Sequence, residues 1–297
     1  MIASSTLPPN SSTKVLITGA NGFVGAHVVQ QLKQNFDIVA LVRSGKEVPS
    51  VKTYTFESLS DPNLEKAMEG ATVVVHIASQ LHGPLPEMMA ANVDFTKHLV
   101  DLAKEKGVRQ FIYISTENVT QGNQDIYSKT KALAEEEVKA FFPHVILRPT
   151  IVYGPGDKKY IGRLMSIIKK FPLVPVLGNG KNKFQFIFVK DVADIIESSI
   201  RKNISGTFTI AGPEITNYNE LMQVLMETMQ NRKRLLHLPI WLLKPAAMVL
   251  NVLFKSPPLT PTQLDNLKLD RTHDISNVVA VFGYQPTSLK IGLQKTL

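Results

Sequence analysis

The first half of the chain alternates short apolar runs with stretches whose apolar residues recur at helical spacing. Residues 15–18, 38–42, 73–78, 111–115 and 145–147 read as buried strands. Between them, 23–34, 64–69, 87–106 and 126–141 carry the three-and-four periodicity of helices. Strands apolar on both faces and separated by helices predict a parallel sheet covered on both sides. Right-handed crossovers make such a sheet doubly wound. After about Tyr153 the alternation breaks at Pro155, Gly156, Pro172, Pro175, Gly178 and Gly180. Residues 186–200 with 207–211 read as a return to the sheet, and the remainder from about Thr216 as mainly helical with proline interruptions. The expected fold is therefore α/β, a doubly wound parallel sheet with a smaller, mainly helical C-terminal substrate domain. Its expected boundaries are a flexible leader at 1–13, a nucleotide domain at 14–153 plus 184–215, and substrate segments at 154–183 plus 216–297.

Composition narrows the chemistry. With 297 residues, 44% of them hydrophobic, the chain can bury a large core as one extended domain or two fused ones. It has no cysteine, which excludes disulfides, thiolate zinc sites and a cysteine nucleophile, and fits a reducing, cytoplasmic setting. No His/Asp/Glu cluster has metal-ligand spacing, so no metal is expected. The net charge of +8 favours anionic ligands, but the cations lie in short scattered runs such as Lys158/Lys159 and Arg232/Lys233/Arg234. Such runs are solvated faces rather than a groove, and no nucleic-acid partner is expected. Residues 1–12 lack the basic start and apolar core of a signal peptide and read as a frayed leader.

One turn carries the clearest signal. Thr18-Gly19-Ala20-Asn21-Gly22-Phe23-Val24-Gly25 follows the first strand and opens a helix. Gly19 permits the tight turn, Gly22 lets backbone approach a pyrophosphate, and Gly25 lets helix and strand pack closely. The helix start adds N–H donors and a positive dipole end, so the turn with Asn21, Phe23 and Val24 is assigned to a dinucleotide in a Rossmann arrangement. The second strand ends Ala40-Leu41-Val42-Arg43-Ser44, without the acid that would bond the 2′-hydroxyl of NAD. Arg43, with Ser44 and Lys46 near, suits a 2′-phosphate instead, so NADP(H) is expected, with NAD the alternative.

Tyr127-Ser128-Lys129-Thr130-Lys131 puts a phenol and an ammonium at i and i+4 on one helix face. The helix follows the strand that ends at Ser115 and Thr116, and ligands of doubly wound sheets sit at such strand ends. A phenol with a pKa near 10 is a poor base at neutral pH, and a neighbouring cation lowers that value. Tyr127 can then exchange a proton with a substrate oxygen, which Thr116 also hydrogen-bonds, while Lys131 holds the ribose hydroxyls.

At these residues the chain resembles the extended short-chain dehydrogenase/reductases of the NAD-dependent epimerase/dehydratase superfamily. Further matching stretches are His76-Ile77-Ala78, Asn92-Val93-Asp94, Arg148 to Gly156, Val189-Lys190-Asp191-Val192-Ala193 and Phe282-Gly283-Tyr284-Gln285-Pro286. The resemblance implies that Thr116, rather than Ser115, joins Tyr127 and Lys131 as the catalytic hydroxyl. It also implies that Ala78, Ser115, Pro149 and Thr150 lie along the cofactor and that Asn92 supports the active site. Ser58 stands where an aspartate usually meets the adenine amine. His82, Asn92 and Tyr153 are the candidate substrate contacts.

Three features depart from the nucleotide-sugar enzymes: the short gap between Thr116 and Tyr127, Ser58, and Phe184 where an arginine commonly meets the diphosphate. The late stretch Leu238-Pro239-Ile240-Trp241-Leu242-Leu243 is closer to the 3β-hydroxysteroid dehydrogenase-like branch. The expected activity is hydride transfer between nicotinamide and a small-molecule secondary alcohol or ketone, with Tyr127 as general acid/base. The alternatives are a nucleotide-sugar 4-epimerase or dehydratase holding NAD, and a non-catalytic nucleotide-binding subunit. The apolar run 235–254 is interrupted by His237, Pro239, Lys244 and Pro245, so it reads as a lid or a peripheral membrane contact and not as a span. The helices at 87–106 and 126–141 resemble the pair that forms a dimer interface in relatives, which implies a homodimer.

Overall fold

A computed structural model describes residues 13–43, 47–120, 125–253 and 270–297. Six strands form in sequence: β1 (Lys14–Thr18), β2 (Asp37–Arg43), β3 (Lys52–Phe56), β4 (Val73–His76), β5 (Gln110–Ile114) and β6 (His144–Pro149). Three short strands follow, β7 (Ile151–Tyr153), β8 (Leu173–Leu177) and β9 (Lys183–Phe188), before β10 (Gly206–Ile210) returns to the main sheet. That sheet is wholly parallel, in the order β10-β6-β5-β4-β1-β2-β3. The chain moves outward from β1 to β3, then crosses back to β4 on the other side of β1, which places the topological switch between β1 and β4. In register, Leu16 lies between Val39 and Val74. All three are buried, as a sheet covered on both faces requires.

Five helices and a π turn pack around these strands: α1 (Phe23–Leu32), α2 (Pro62–Met68), α3 (Leu85–Met89), α4 (Phe95–Glu105) and α5 (Ile126–Lys139), the π turn (Ala90–Asp94) joining α3 to α4. α6 (Ile161–Lys170) and α7 (Val189–Arg201) come later, and α7 packs on α1. On one sheet face Leu16, Leu41, Val74, Phe111 and Ile146 meet Leu64 of α2, Phe95 and Leu99 of α4 and Val138 of α5 in a single core. Helix starts follow local chemistry. Asp61 caps α2 ahead of Pro62 by accepting the Asn63 N–H at 2.9 Å, and Asp125 caps α5 by accepting the Ser128 N–H at 2.8 Å.

The structure corrects the sequence reading in several places. β3 is an additional strand, with Lys52, Thr53 and Thr55 interleaved among Tyr54 and Phe56. It lies at the sheet edge and is only half-buried, so its apolar signal is diluted. The helix expected at 87–106 begins at Leu85 and passes through the π turn, an extra residue in the spiral that periodicity does not show.

The chain divides into two compact units. The first comprises the described residues of 1–152, 189–210 and 275–285, and the second those of 153–188, 211–274 and 286–297. Residues 184–188 fall in the second because β9 pairs antiparallel with β11 (Ile215–Asn217). The remaining elements are α8 (Tyr218–Thr228), β12 (Arg234–Leu238), α9 (Ile240–Leu253), α10 (Ser276–Phe282) and α11 (Leu289–Thr296). Residues 275–285 join the first unit because α10 packs on α7 and β10, with the Phe282 ring 4.9 Å from that of Phe208. Gly283 ends α10 at a φ of 66°, the left-handed cap that favours glycine. The second unit is less helical than expected, since β8 pairs with β12 and β9 with β11. The apolar run from 235 is thus a strand and a 14-residue helix, with Phe254 outside the described residues. Among those residues, no helix is long and apolar enough to cross a membrane.

Candidate active site

The glycine turn connects β1 to α1 with very little room. Gly19 sits at a φ of 68°, and a Cβ there would lie 2.7 Å from the Ala78 backbone nitrogen. A Cβ on Gly25 would lie 2.1 Å from the Gly19 carbonyl oxygen. Gly22 is the N-cap of α1 and offers no side chain to the first turn, which holds no acid. The helix start therefore presents its amides and its positive end outward beside exposed Asn21 and half-buried Phe23 and Val24.

The other residues assigned to a cofactor lie at the same carboxyl edge of the sheet. Arg43 ends β2 and is exposed, Ser58 follows β3, Ala78 follows β4, Ser115 follows β5, and Pro149 ends β6 with Thr150 next. Ser44 lies outside the described residues. Ser58 is exposed, its hydroxyl 3.1 Å from that of Ser60. The hydroxyls of Ser115 and Thr150 are buried with no hydrogen-bond partner among the described residues. Buried polar atoms are normally satisfied, so two orphans flanking this edge, together with the alanine-tight glycine cradle, fit a nicotinamide dinucleotide.

Tyr127 lies in the first turn of α5, which the Asp125 cap fixes, and is half-buried. One turn on, Lys131 is only 1% exposed. Its ammonium donates to the Ile114 carbonyl at 2.6 Å and stands 4.0 Å over the Tyr113 ring. Ile114 is the last residue of β5, directly before Ser115 and Thr116, so this bond ties the tyrosine helix to the strand end that carries the hydroxyls. Burial lowers the Lys131 pKa to about 7, against the opposing pull of Glu135. Glu135, itself buried, accepts a bidentate bond from Arg148 at 2.9 and 2.5 Å. Half-buried Thr116 accepts from the Asn118 N–H at 3.4 Å in the turn that begins at Glu117.

Asn92, buried in the π turn, holds the loop after β4. It accepts the Gln80 N–H at 2.7 Å, donates to the Gln80 carbonyl at 2.9 Å and donates to Thr130 of α5 at 2.9 Å. It braces the site rather than facing an open space. His82 is exposed in the loop beyond, where its carbonyl accepts from Gln80. Tyr153 is 1% exposed in the core of the second unit, between Phe186 and Phe188, and donates to the Leu289 carbonyl at 3.4 Å. There it packs; it does not line a cavity. Sequence reasoning overlooked Thr96, Thr130, Glu135 and the Ile114 carbonyl. The available signal was spacing, since Thr96 is i+4 from Asn92 and Glu135 is i+4 from Lys131. The second unit has an open cavity of about 680 Å³ whose lining includes Asn179, Asn219, His237, Ile240 and Trp241. Among the described residues, no group of three His, Asp or Glu side chains could hold a metal.

The sequence profile of the NAD dependent epimerase/dehydratase family matches residues 15–211. The chain belongs to that family. It is an NAD(P)-dependent enzyme of the extended short-chain dehydrogenase/reductase type. It is 30% identical to a sterol-4-alpha-carboxylate 3-dehydrogenase, decarboxylating, of Candida albicans, over 97% of both chains. It is 26% identical to the UDP-glucose 4-epimerase of Vibrio cholerae, over 95% of this chain and 94% of that one. The crystal structure of UDP-glucuronic acid 4-epimerase from Bacillus cereus in complex with NAD shares the fold, with a TM-score of 0.76 at 22% identity over 95% and 97% of the chains.

Two outcomes follow. Gly25→Ala forces a Cβ against backbone that cannot rotate away, and should cost about 1–3 kcal/mol of stability by overpacking. Denaturant unfolding reads that loss, and a fluorescence titration with reduced cofactor should show weaker binding. Lys131 in the folded protein has a pKa below its unfolded value, so the folded state binds fewer protons between about pH 7 and 10.5. Stability therefore rises with pH across that window, and the full penalty holds below pH 7. Lys131→Met should flatten this slope when the two proteins are unfolded in parallel at pH 7 and pH 9.5.

Proposed function

We propose that the enzyme transfers hydride between a nicotinamide cofactor and an apolar secondary alcohol or ketone, with Tyr127 as general acid/base. The observation that carries this reading is the buried Lys131 ammonium one helical turn behind Tyr127, anchored to the strand end that bears Thr116. A bound nicotinamide supplies the hydride acceptor or donor. Everything else falls to the chain. Tyr127 takes the alcohol proton during oxidation and returns it during reduction. Thr116 donates a hydrogen bond to the same oxygen, and the protonated Lys131 ammonium lowers the phenol pKa and so favours the phenolate. The buried hydroxyls of Ser115 and Thr150 and the amides at Gly22–Val24 hold the dinucleotide.

For the substrate, the best support is the sterol 3-dehydrogenase relative that matches end to end. Phe184 agrees with it, since it packs 5.2 Å from the Phe186 ring and brings no charge for a sugar diphosphate. We assign the substrate to the sterol class, as an alcohol on a fused apolar ring system. For the cofactor we propose NADP(H), supported by exposed Arg43 at the end of β2 and the lack of an acid there.

A panel of 3-hydroxysterols, their 3-ketones and UDP-sugars, followed by absorbance of the reduced nicotinamide, tests the activity. Oxidation or reduction of a sterol supports it; interconversion of UDP-sugars without net cofactor consumption overturns it. Tyr127→Phe should reduce kcat on the accepted substrate by on the order of 10²- to 10⁴-fold with cofactor binding retained. Arg43→Asp should weaken NADPH binding about tenfold or more, as expected for loss of a charge-assisted hydrogen bond, and leave NADH binding unchanged or tighter. Equal effects on both cofactors would refute the 2′-phosphate assignment.

A further inference from the structure

His76 is fully buried at the end of β4, among the rings of Phe95, Phe111 and Tyr113 at 5.5, 6.2 and 5.4 Å. Both ring nitrogens are engaged. Nδ1 lies 2.6 Å from the Thr18 hydroxyl and Nε2 lies 2.9 Å from the Thr96 hydroxyl. The proton positions follow from the neighbours. Thr96 donates its only hydroxyl hydrogen to the Asn92 carbonyl at 2.6 Å, so it can only accept from His76, and Nε2 carries hydrogen. The Thr18 oxygen already accepts the N–H groups of Ile77 and Ala78, each at 3.2 Å. Its own hydrogen needs an acceptor, and Nδ1 is the atom in place. A second ring proton would leave that hydroxyl hydrogen without a partner, so the ring is neutral. Burial, and then the charge of Lys131, hold its pKa well below the usual range in the same sense.

The contacts then form a directional series. The Ala78 amide donates to Thr18, Thr18 to His76, His76 to Thr96, and Thr96 to the Asn92 carbonyl. The Asn92 side chain donates to Thr130, which donates to the Tyr127 carbonyl at 2.9 Å. One end is the amide against which Gly19 is pressed, and the other is the first turn of the helix that carries Tyr127 and Lys131. Every hydroxyl in the series has its hydrogen committed, so none can turn to an alternative partner without giving up the bond it donates.

We propose that His76, locked as the neutral Nε2–H tautomer, is a positioning residue that fixes the proton-donating helix in register with the dinucleotide turn. It touches neither substrate nor cofactor and acts through Thr18 and Thr96. The kinetic part rests on the Tyr127 reading above, whereas the tautomer does not.

The test uses the 297-residue protein with ¹⁵N-labelled histidine, beside His76→Phe, which keeps the ring packing and removes both ring bonds, and Thr96→Val, which removes the acceptor on Nε2 together with the bond to the Asn92 carbonyl. Expected are ring-nitrogen NMR signals of a neutral Nε2–H imidazole from pH 5.5 to 8. Expected too is a kcat loss of about 10- to 100-fold in each variant, with NADPH affinity and KM within about threefold of wild type. The double variant should be no worse than His76→Phe alone, as members of one unit behave. A ring that protonates above pH 5.5, or one whose hydrogen sits on Nδ1, overturns the proposal even if Tyr127→Phe is inactive. So does full kcat in folded Thr96→Val. Should Tyr127→Phe stay active while the NMR result holds, the catalytic reading fails and the hydrogen-bond assignment stands. Should His76→Phe fail to fold, Thr96→Val and the NMR signals decide.

Discussion

The burial of the Lys131 ammonium is the constraint on which the site depends. Removing a charge from water is costly, and the fall of its pKa from 10.5 to about 7 is worth on the order of 5 kcal/mol. That figure already includes the compensating pull of Glu135, one of three contacts that hold the ammonium. The Ile114 carbonyl receives the ammonium, the Tyr113 ring face lies beneath it, and the Glu135 carboxylate stands one helical turn away. Each contact has its own requirement. Glu135, buried as well, needs the Arg148 fork from β6; Tyr113 needs the core between α4, α5 and the sheet. A buried ammonium thus dictates identities on two strands and a helix, at a stability cost that an apolar side chain would not incur.

A parallel sheet gathers such requirements at one edge. Gly19, Arg43, Ser58, Ala78, Ser115 and Thr150 are far apart in sequence, yet each stands just at or past the carboxyl end of a strand. Because most crossovers return the chain to the opposite edge through a helix, polar groups accumulate here without being built into the core. The alternating arrangement also leaves gaps between helices and sheet that only polar bridges can close where no apolar residue fits. Asn92, in the π turn, closes one by bridging the loop after β4 to α5.

Much of this was legible in the residues. The glycine turn obeys local steric rules, and the contacts at Gly19 and Gly25 are those that its spacing implied. The i,i+4 relation of Tyr127 and Lys131 is helix geometry, readable without a fold. What the sequence did not show depends on position in space. β3 is weakly patterned because an edge strand buries little, and the division at β9 depends on pairing with a strand 30 residues later, beyond any periodicity. Tyr153 illustrates the same limit from the other side. Its place in a family motif pointed to a substrate, whereas its surroundings, with Gly292 pressed on its hydroxyl, make it a packing residue.

His76 shows why chemistry-bearing residues are the hardest to read this way. A lone histidine ending an apolar strand is, by pattern, an irregularity in a core. Its meaning lies in protons that sequence cannot display: Thr18 and Thr96 are 78 residues apart along the chain, and only their joint demand fixes the ring's tautomer. A series whose every donor is committed tolerates no partial substitution, since each member left without its partner is a buried unsatisfied group. That intolerance explains why Thr18, Asn92, Thr96 and Thr130 are all buried polar residues where the ends of β1 and β4 meet the covering helices. They do not stabilise the sheet so much as leave it a single arrangement in which turn and helix are in register.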